Sequence, residues 1–122
     1  MPIRVLLVDD DEAFRLVTAI ALESEGCIVN EAADGYAALT ALEEDHPDVI
    51  VCDLNMPGLD GRKLCRWVRS NPCLADVRLV VLSALIDPDG SGVPPDIEAD
   101  CYLSKQTHFS QLVSHLEQLA GR

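Results

Sequence analysis

The sequence predicts an α/β fold, an open five-stranded parallel sheet with helices on both faces. Three observations carry that expectation. Short apolar, β-branched-rich runs alternate along the 122-residue chain with longer stretches of helical periodicity. The runs are apolar almost throughout, as strands covered on both faces are. Polar residues stand where the runs end, at Asp9, Asp10, Asp53, Ser83 and Lys105, and open α/β sheets place their sites outside the carboxyl ends of the strands.

Residues 3–8 (IRVLLV) form the first predicted strand. Across 12–25, Ala13, Leu16, Val17, Ile20 and Ala21 recur at helical spacing, and Gly26 supplies a left-handed stop. Residues 27–32 (CIVNEA) return to an extended pattern, Asp34 and Gly35 break it, and 36–44 (YAALTALEE) is rich in good helix formers. Pro47 closes that helix, because the residue before a proline is pushed out of the helical region. The third strand is 48–54 (DVIVCDL); 62–70 (RKLCRWVRS) is a helix with Leu64, Cys65, Trp67 and Val68 available for packing; 78–82 (RLVVL) is the fourth strand. Residues 87–96 (DPDGSGVPPD) carry three prolines and two glycines where the pattern requires a fourth helix. That composition cannot sustain one, so an irregular or shortened segment is expected. A last strand spans 101–104, and Phe109, Leu112, Val113, Leu116 and Leu119 form a helical apolar stripe. Parallel strands need crossover helices, which cover both faces and are overwhelmingly right-handed.

A single domain is expected over residues 1–122, a length that buries one core and is too short for two. The 21 acidic and 9 basic side chains leave a formal net charge of −12, which disfavours direct binding to nucleic acid or acidic membrane. Cys27, Cys52, Cys65, Cys73 and Cys101 are scattered without a C-x-x-C pair. Neither a disulfide framework nor a zinc site is indicated, and reduced thiols point to the cytoplasm. No stretch approaches the roughly 20 apolar residues of a membrane span, and no secretory leader pattern opens the chain.

If the strand order is 2-1-3-4-5, the first, third, fourth and fifth strands are contiguous, and Asp9, Asp10, Asp53, Ser83 and Lys105 share one shallow pocket. Converging carboxylates repel: two unit charges about 4 Å apart interact by roughly 1 kcal/mol in water and about 4 at an effective dielectric near 20. A divalent cation relieves this. Mg2+ suits oxygen ligands and needs few carboxylates besides a phosphate oxygen, with Mn2+ as a substitute. Without a cation, a carboxylate pKa should rise. Asp53 is then expected to attack a phosphoryl donor while the cation and Lys105 neutralise the transferred oxygens and Ser83 offers a hydroxyl to the product.

VDDDE at 8–12, CDLNMPGLDG at 52–61, LSA at 82–84 and YLSK at 102–105 together resemble the response-regulator receiver family of two-component signalling, over essentially the whole chain. The resemblance implies a flavodoxin-like fold. It implies Asp9 and Asp10 as an acidic metal pair, Asp53 as phosphoacceptor and metal ligand, and the backbone carbonyl of Asn55 as a further ligand. Ser83 would be the switch hydroxyl, Lys105 the phosphate-contacting lysine, and Tyr102 the aromatic whose burial reports phosphorylation. The implied donor is a sensor histidine kinase or a histidine phosphotransfer protein, and the implied recipient of the signal is a downstream protein or output domain. Such a domain modifies itself and is otherwise no enzyme. The chain is expected to be a stand-alone relay or the N-terminal part of a longer regulator, with dimerisation open to it.

Departures from the family pattern bear on output. Gln106 stands where proline is usual, so a differently shaped Lys105 loop is expected. The Pro/Gly-rich segment replaces a helix that commonly contributes to the family's dimer or partner surface. Leu85, two residues beyond Ser83, occupies a place where family members tune phosphoryl lifetime; an apolar side chain there cannot position water, and slow self-dephosphorylation is expected. Two competing functions remain. One is a pseudo-receiver that binds partners without phosphoryl chemistry. The other is a haloacid-dehalogenase-type phosphatase using Asp9-x-Asp11, although Ala13 stands where that family usually has threonine or valine.

The remaining polar features have ordinary readings. Asp11 is expected to cap a helix, and Asp60-Gly61 to serve turn chemistry. Arg62, Lys63, Arg66 and Arg69 form either a solvated helix face or a partner-guiding patch. His108 and His115 are read as peripheral.

Overall fold

The computed structural model describes residues 2–56 and 60–121; Pro57, Gly58 and Leu59 of the CDLNMPGLDG motif lie outside the described residues. The strands are β1 (Arg4–Val8), β2 (Ile28–Ala32), β3 (Val49–Cys52), β4 (Arg78–Ser83) and β5 (Cys101–Ser104), and the helices are α1 (Glu12–Ser24), α2 (Gly35–Glu44), α3 (Gly61–Ser70) and α4 (Phe109–Leu119). All pairings are parallel, in the expected order β2-β1-β3-β4-β5. Val8 pairs with both Ala32 and Cys52, Cys52 with Val81, and Ser83 with Ser104, so the strand ends lie level along one edge.

Strand side chains alternate between two apolar layers. Leu6, Val8, Ile50, Cys52, Leu79 and Val81 pack with Ala38 and Leu42 of α2 and Leu64, Cys65 and Val68 of α3. Val5, Leu7, Val49, Val51, Val80 and Leu82 pack with Ala19 and Leu22 of α1 and Leu112, Val113 and Leu116 of α4. Each such aliphatic side chain contributes about 1.5–3 kcal/mol when fully buried. Both faces of the sheet are thereby covered, which is why its strands show no polar alternation.

Two local expectations need correction. The α1 stripe of Leu16, Val17 and Ile20 faces outward, each more than half exposed, whereas Thr18, Ala19 and Leu22 are buried. Thr18, Ala19 and Leu22 take the sheet-facing side of the helix, which leaves the stripe on the solvent side. On α3, Leu64, Cys65 and Val68 are buried as expected, but Trp67 is 38% exposed. A short 3-10 turn, Pro72–Leu74, also follows α3, with Asn71 accepting from the Cys73 amide.

Gly26 ends α1 with φ +92°, the left-handed stop the sequence predicts. Asp11, Asp34 and Asp60 cap α1, α2 and α3, each accepting a backbone N–H in the first turn. Between β4 and β5 no helix forms among the described residues, and Gly90 and Gly92 take φ near +90°. Arg66 and Arg69 of α3 reach this irregular stretch. Arg66 pairs with Asp96 at 2.6 Å; Arg69 pairs with Asp100 at 2.6 Å and donates to the Glu98 and Val77 carbonyls. Two members of the basic cluster are therefore engaged within the molecule instead of forming a free patch.

Candidate functional site

The carboxyl edge of the sheet gathers charge. Asp9 follows β1 and is 2% exposed, Asp10 is exposed, and Asp53 follows β3 at 6% exposure. One carboxylate oxygen from each of Asp9, Asp10 and Asp53 lies within 4.8 Å of the others, an arrangement able to hold a metal ion. The all-oxygen, acid-rich donor set fits a hard cation such as Mg2+.

Lys105, placed by β5, completes the group. Its ammonium nitrogen lies 2.8 Å from Asp9 Oδ2, 3.4 Å from Asp53 Oδ2 and 4.6 Å from the centre of the Phe14 ring. Burial alone would lower the lysine pKa, but the Asp9 hydrogen bond and the charges of Asp53 and Asp9 outweigh it and hold it above the usual value. The site lysine stays protonated. Asp9 is pushed up chiefly by burial, against hydrogen bonds from Lys105 and the Asp11 amide; the Asp53 charge adds only a smaller upward push. The expected rise is present, but desolvation dominates the mutual repulsion invoked from sequence.

Backbone amides shape the pocket. The Asp11 N–H donates to Asp9 Oδ1 at 2.9 Å, and the Asn55 N–H approaches Asp53 Oδ1 at 3.5 Å. Behind Asp53, its own carbonyl accepts from the Cys52 thiol at 3.1 Å, and α3 begins hard against the same group. A Cβ at Gly61 would stand 1.8 Å from the Asp53 backbone oxygen. Gly61 therefore serves close approach, not a turn, and Asp60 is a helix cap. The sequence signal was the glycine beside a capping acid, but only the fold shows which carbonyl it meets.

The hydroxyls of Ser83 and Tyr102 are bonded to backbone groups. Buried Ser83 accepts the Leu85 N–H on its hydroxyl at 3.1 Å, while its carbonyl accepts from the Lys105 amide at 3.2 Å. Half-buried Tyr102 donates its hydroxyl to the Ile97 carbonyl and accepts from the Ala99 amide at 2.8 Å. The Gln106 N–H, a donor that proline would lack, reaches Ser104 Oγ at 3.0 Å. His108 proves to be the α4 cap, accepting the Ser110 amide, and His115 Nδ1 lies 3.8 Å from Cys101 Sγ. A hollow of about 340 Å3 lies at the opposite end of the strands, lined by Pro47, Asp48, Asp76 and Arg78, away from this chemistry.

Fold and site thus define a doubly wound α/β domain with an acidic, cation-ready pocket at the carboxyl edge of its sheet. A family model described as the response regulator receiver domain matches residues 5–117. Response regulator MprA of Mycolicibacterium vanbaalenii is 37% identical over 122 residues, covering 100% of this chain and 52% of that protein. The chain thus spans about half the length of the curated relatives it matches. A provisionally assigned response regulator from Chloroflexus aurantiacus superposes with a TM-score of 0.89 at 30% identity, each chain covered in full. Chemotaxis protein CheY4 of Vibrio cholerae superposes at 0.85 with 27% identity, covering 98% of this chain and 99% of that one. This chain belongs to the response-regulator receiver family of two-component signalling. Among the described residues no helix is long and apolar enough to cross a membrane.

Proposed function

We propose that Asp53 accepts a phosphoryl group from a phosphohistidine on a sensor kinase or phosphotransfer protein, and that the modified domain changes its binding to a downstream protein or output domain. The observation carrying this reading is the convergence of Asp9, Asp10 and Asp53 around one point with the Lys105 ammonium 3.4 Å from Asp53. An Asp53 carboxylate oxygen attacks phosphorus, the P–N bond of the donor breaks, and the imidazole leaves. Asp9, Asp10, Asp53 and the Asn55 carbonyl are the residues assigned to hold Mg2+, which when bound supplies positive charge to the transferred oxygens. Lys105 brings a fixed cation to the same oxygens.

Ser83 and Tyr102 form the switch in this reading. Ser83 accepts the Leu85 amide and keeps its own O–H to donate to the phosphoryl group, whereas for Tyr102 to reorient it must leave Ile97 and Ala99. These breakable contacts provide a two-state element that phosphorylation can bias. Leu85 is 47% exposed and offers no group to orient water, so the phosphorylated form should be long-lived. Leu85→Gln should shorten its lifetime severalfold by supplying a water-positioning amide; an equal or longer lifetime, followed by intact mass after donor removal, would count against this.

The deciding experiment is incubation with acetyl phosphate, with and without Mg2+, followed by intact-mass measurement of the wild type and Asp53→Asn. A Mg2+-dependent gain of one phosphoryl group in the wild type alone is expected. A gain that persists in Asp53→Asn removes the assignment, and no gain from either acetyl phosphate or a phosphorylated kinase favours a pseudo-receiver. The phosphatase reading predicts turnover of small phosphate esters that depends on Asp9 but not on Asp53.

A further inference from the structure

Arg15 occupies the first turns of α1, outside the group of acids, yet its guanidinium reaches back to them. Nη1 donates to the Asp9 carbonyl oxygen at 2.7 Å, and Nε donates to Glu31 Oε1 on β2 at 3.1 Å. The Arg15 side chain is 15% exposed, and the fork spans the ends of two neighbouring strands. The carbonyl it holds belongs to the peptide joining Asp9 to Asp10. Holding its oxygen fixes the plane of that peptide, and with it the Asp9 ψ and Asp10 φ torsions of the two residues that carry the carboxylates.

The two acids differ in how else they are fixed. Asp9 is held by the Asp11 amide and by Lys105. Exposed Asp10 has no such anchor: among the described residues no hydrogen bond or ion pair holds its carboxylate. Its placement within 4.8 Å of the other acids therefore depends on its backbone. From this geometry we propose that Arg15 is a positioning residue, clamping the Asp9–Asp10 peptide so that both carboxylates present to one divalent cation.

Glu31 has a definite part in that arrangement. A lone guanidinium beside a cation site would repel the cation; pairing with Glu31 cancels its charge while leaving the donor on Asp9 in place. The sign of a substitution effect thus separates two roles. If Arg15 acted only as a nearby positive charge, removing it would tighten cation binding. If it positions the acids, removing it weakens binding.

The inference rests on the proposed cation site, and its test separates the two. Mg2+ binding by calorimetry and Mn2+ binding by electron paramagnetic resonance are measured on the whole chain without a phosphoryl donor, alongside thermal melts. The proteins compared are the wild type, Arg15→Met and Arg15→Lys. Arg15→Met should bind either ion about tenfold more weakly, the loss expected for a charge-assisted hydrogen bond. Arg15→Lys, which keeps one donor but not the fork, should lose about threefold. Unchanged or tighter binding by folded Arg15→Met overturns the proposal whatever its melting temperature. If Arg15→Met does not fold, Arg15→Lys decides by the same criterion. A wild type that binds neither ion overturns the cation site and this inference together, whereas equal binding by wild type and variants overturns the Arg15 role alone.

Discussion

Lys105 Nζ lies closer to Asp9 than to Asp53, 2.8 Å against 3.4 Å. The lysine is thus paired with a residue that the proposed function assigns to Mg2+, and ammonium and metal draw on the same negative charge. Lys105→Met should therefore bind Mg2+ more tightly, by roughly fivefold or more, given that a unit charge at about 4 Å is worth about 1 kcal/mol even in water. The same variant should accept phosphoryl groups from acetyl phosphate more slowly, because the cation facing the transferred oxygens is gone. Calorimetry and intact-mass kinetics measure the two effects; weaker Mg2+ binding would rule out the competition.

Asp9 makes stability depend on pH in an unusual direction for an acid. Burial holds its carboxyl above the ordinary carboxylate range, so the folded chain binds this proton more tightly than the unfolded chain does. Its stabilising contribution is full below the unfolded pKa and is lost as pH rises through the raised folded value. With EDTA present, the Tm of wild type relative to Asp9→Asn should fall as pH rises from below the ordinary carboxylate pKa of about 4 through the raised folded value. Adding Mg2+ at neutral pH should raise the wild-type Tm and leave the variant nearly unmoved. A Tm difference that stays constant across this range would refute the assignment.

Much of this was legible in the sequence because the informative residues sit at strand ends, where topology joins them. The alternation of apolar runs predicted β1 through β5, and the five polar residues at their ends predicted where to look. Burial on α1 was not legible. Leu16, Val17 and Ile20 make a helical stripe as apolar as any core face, but Ala19 and Leu22 fit the sheet and the stripe does not. The fates of Arg66 and Arg69 were hidden for another reason: their partners, Asp96 and Asp100, lie about thirty residues away in a segment with no periodicity. Gly61 and Arg15 escaped because each acts on a backbone oxygen of a site residue, which no side-chain motif records.

Gly61 sets how closely α3 approaches the proposed phosphoacceptor. An added Cβ would lie 1.8 Å from the Asp53 carbonyl oxygen and 2.6 Å from Leu54 Cα, both backbone atoms that cannot swing aside. Gly61→Ala should destabilise the domain by about 1–3 kcal/mol, the usual cost of overpacking. It should also slow phosphorylation of Asp53, because relief requires displacing the peptide that carries it. Urea denaturation and labelling rates test both effects, and a stability change below about 0.5 kcal/mol would show that the contact relaxes without cost.

Arg66 and Arg69 leave one helix for the same irregular segment, but their surroundings differ. Arg66 and Asp96 are both more than half exposed, and water screens their pair. Arg69 and Asp100 are about one-quarter exposed. Arg69 also donates to two carbonyls, and Asp100 also accepts the Leu79 amide at 2.7 Å where β4 begins. Removing Arg69 therefore leaves partly buried acceptors short of a donor, at a cost of about 1–3 kcal/mol. Arg69→Met should lower Tm clearly, and hydrogen exchange should quicken through residues 96–100, whereas Arg66→Met should leave both nearly as in wild type. The segment tied down by Arg69 also holds the Ile97 and Ala99 groups that anchor Tyr102. Arg69→Met should accordingly loosen Tyr102 in the unphosphorylated protein, and an unchanged tyrosine environment by NMR would show that the tie and the proposed switch are independent.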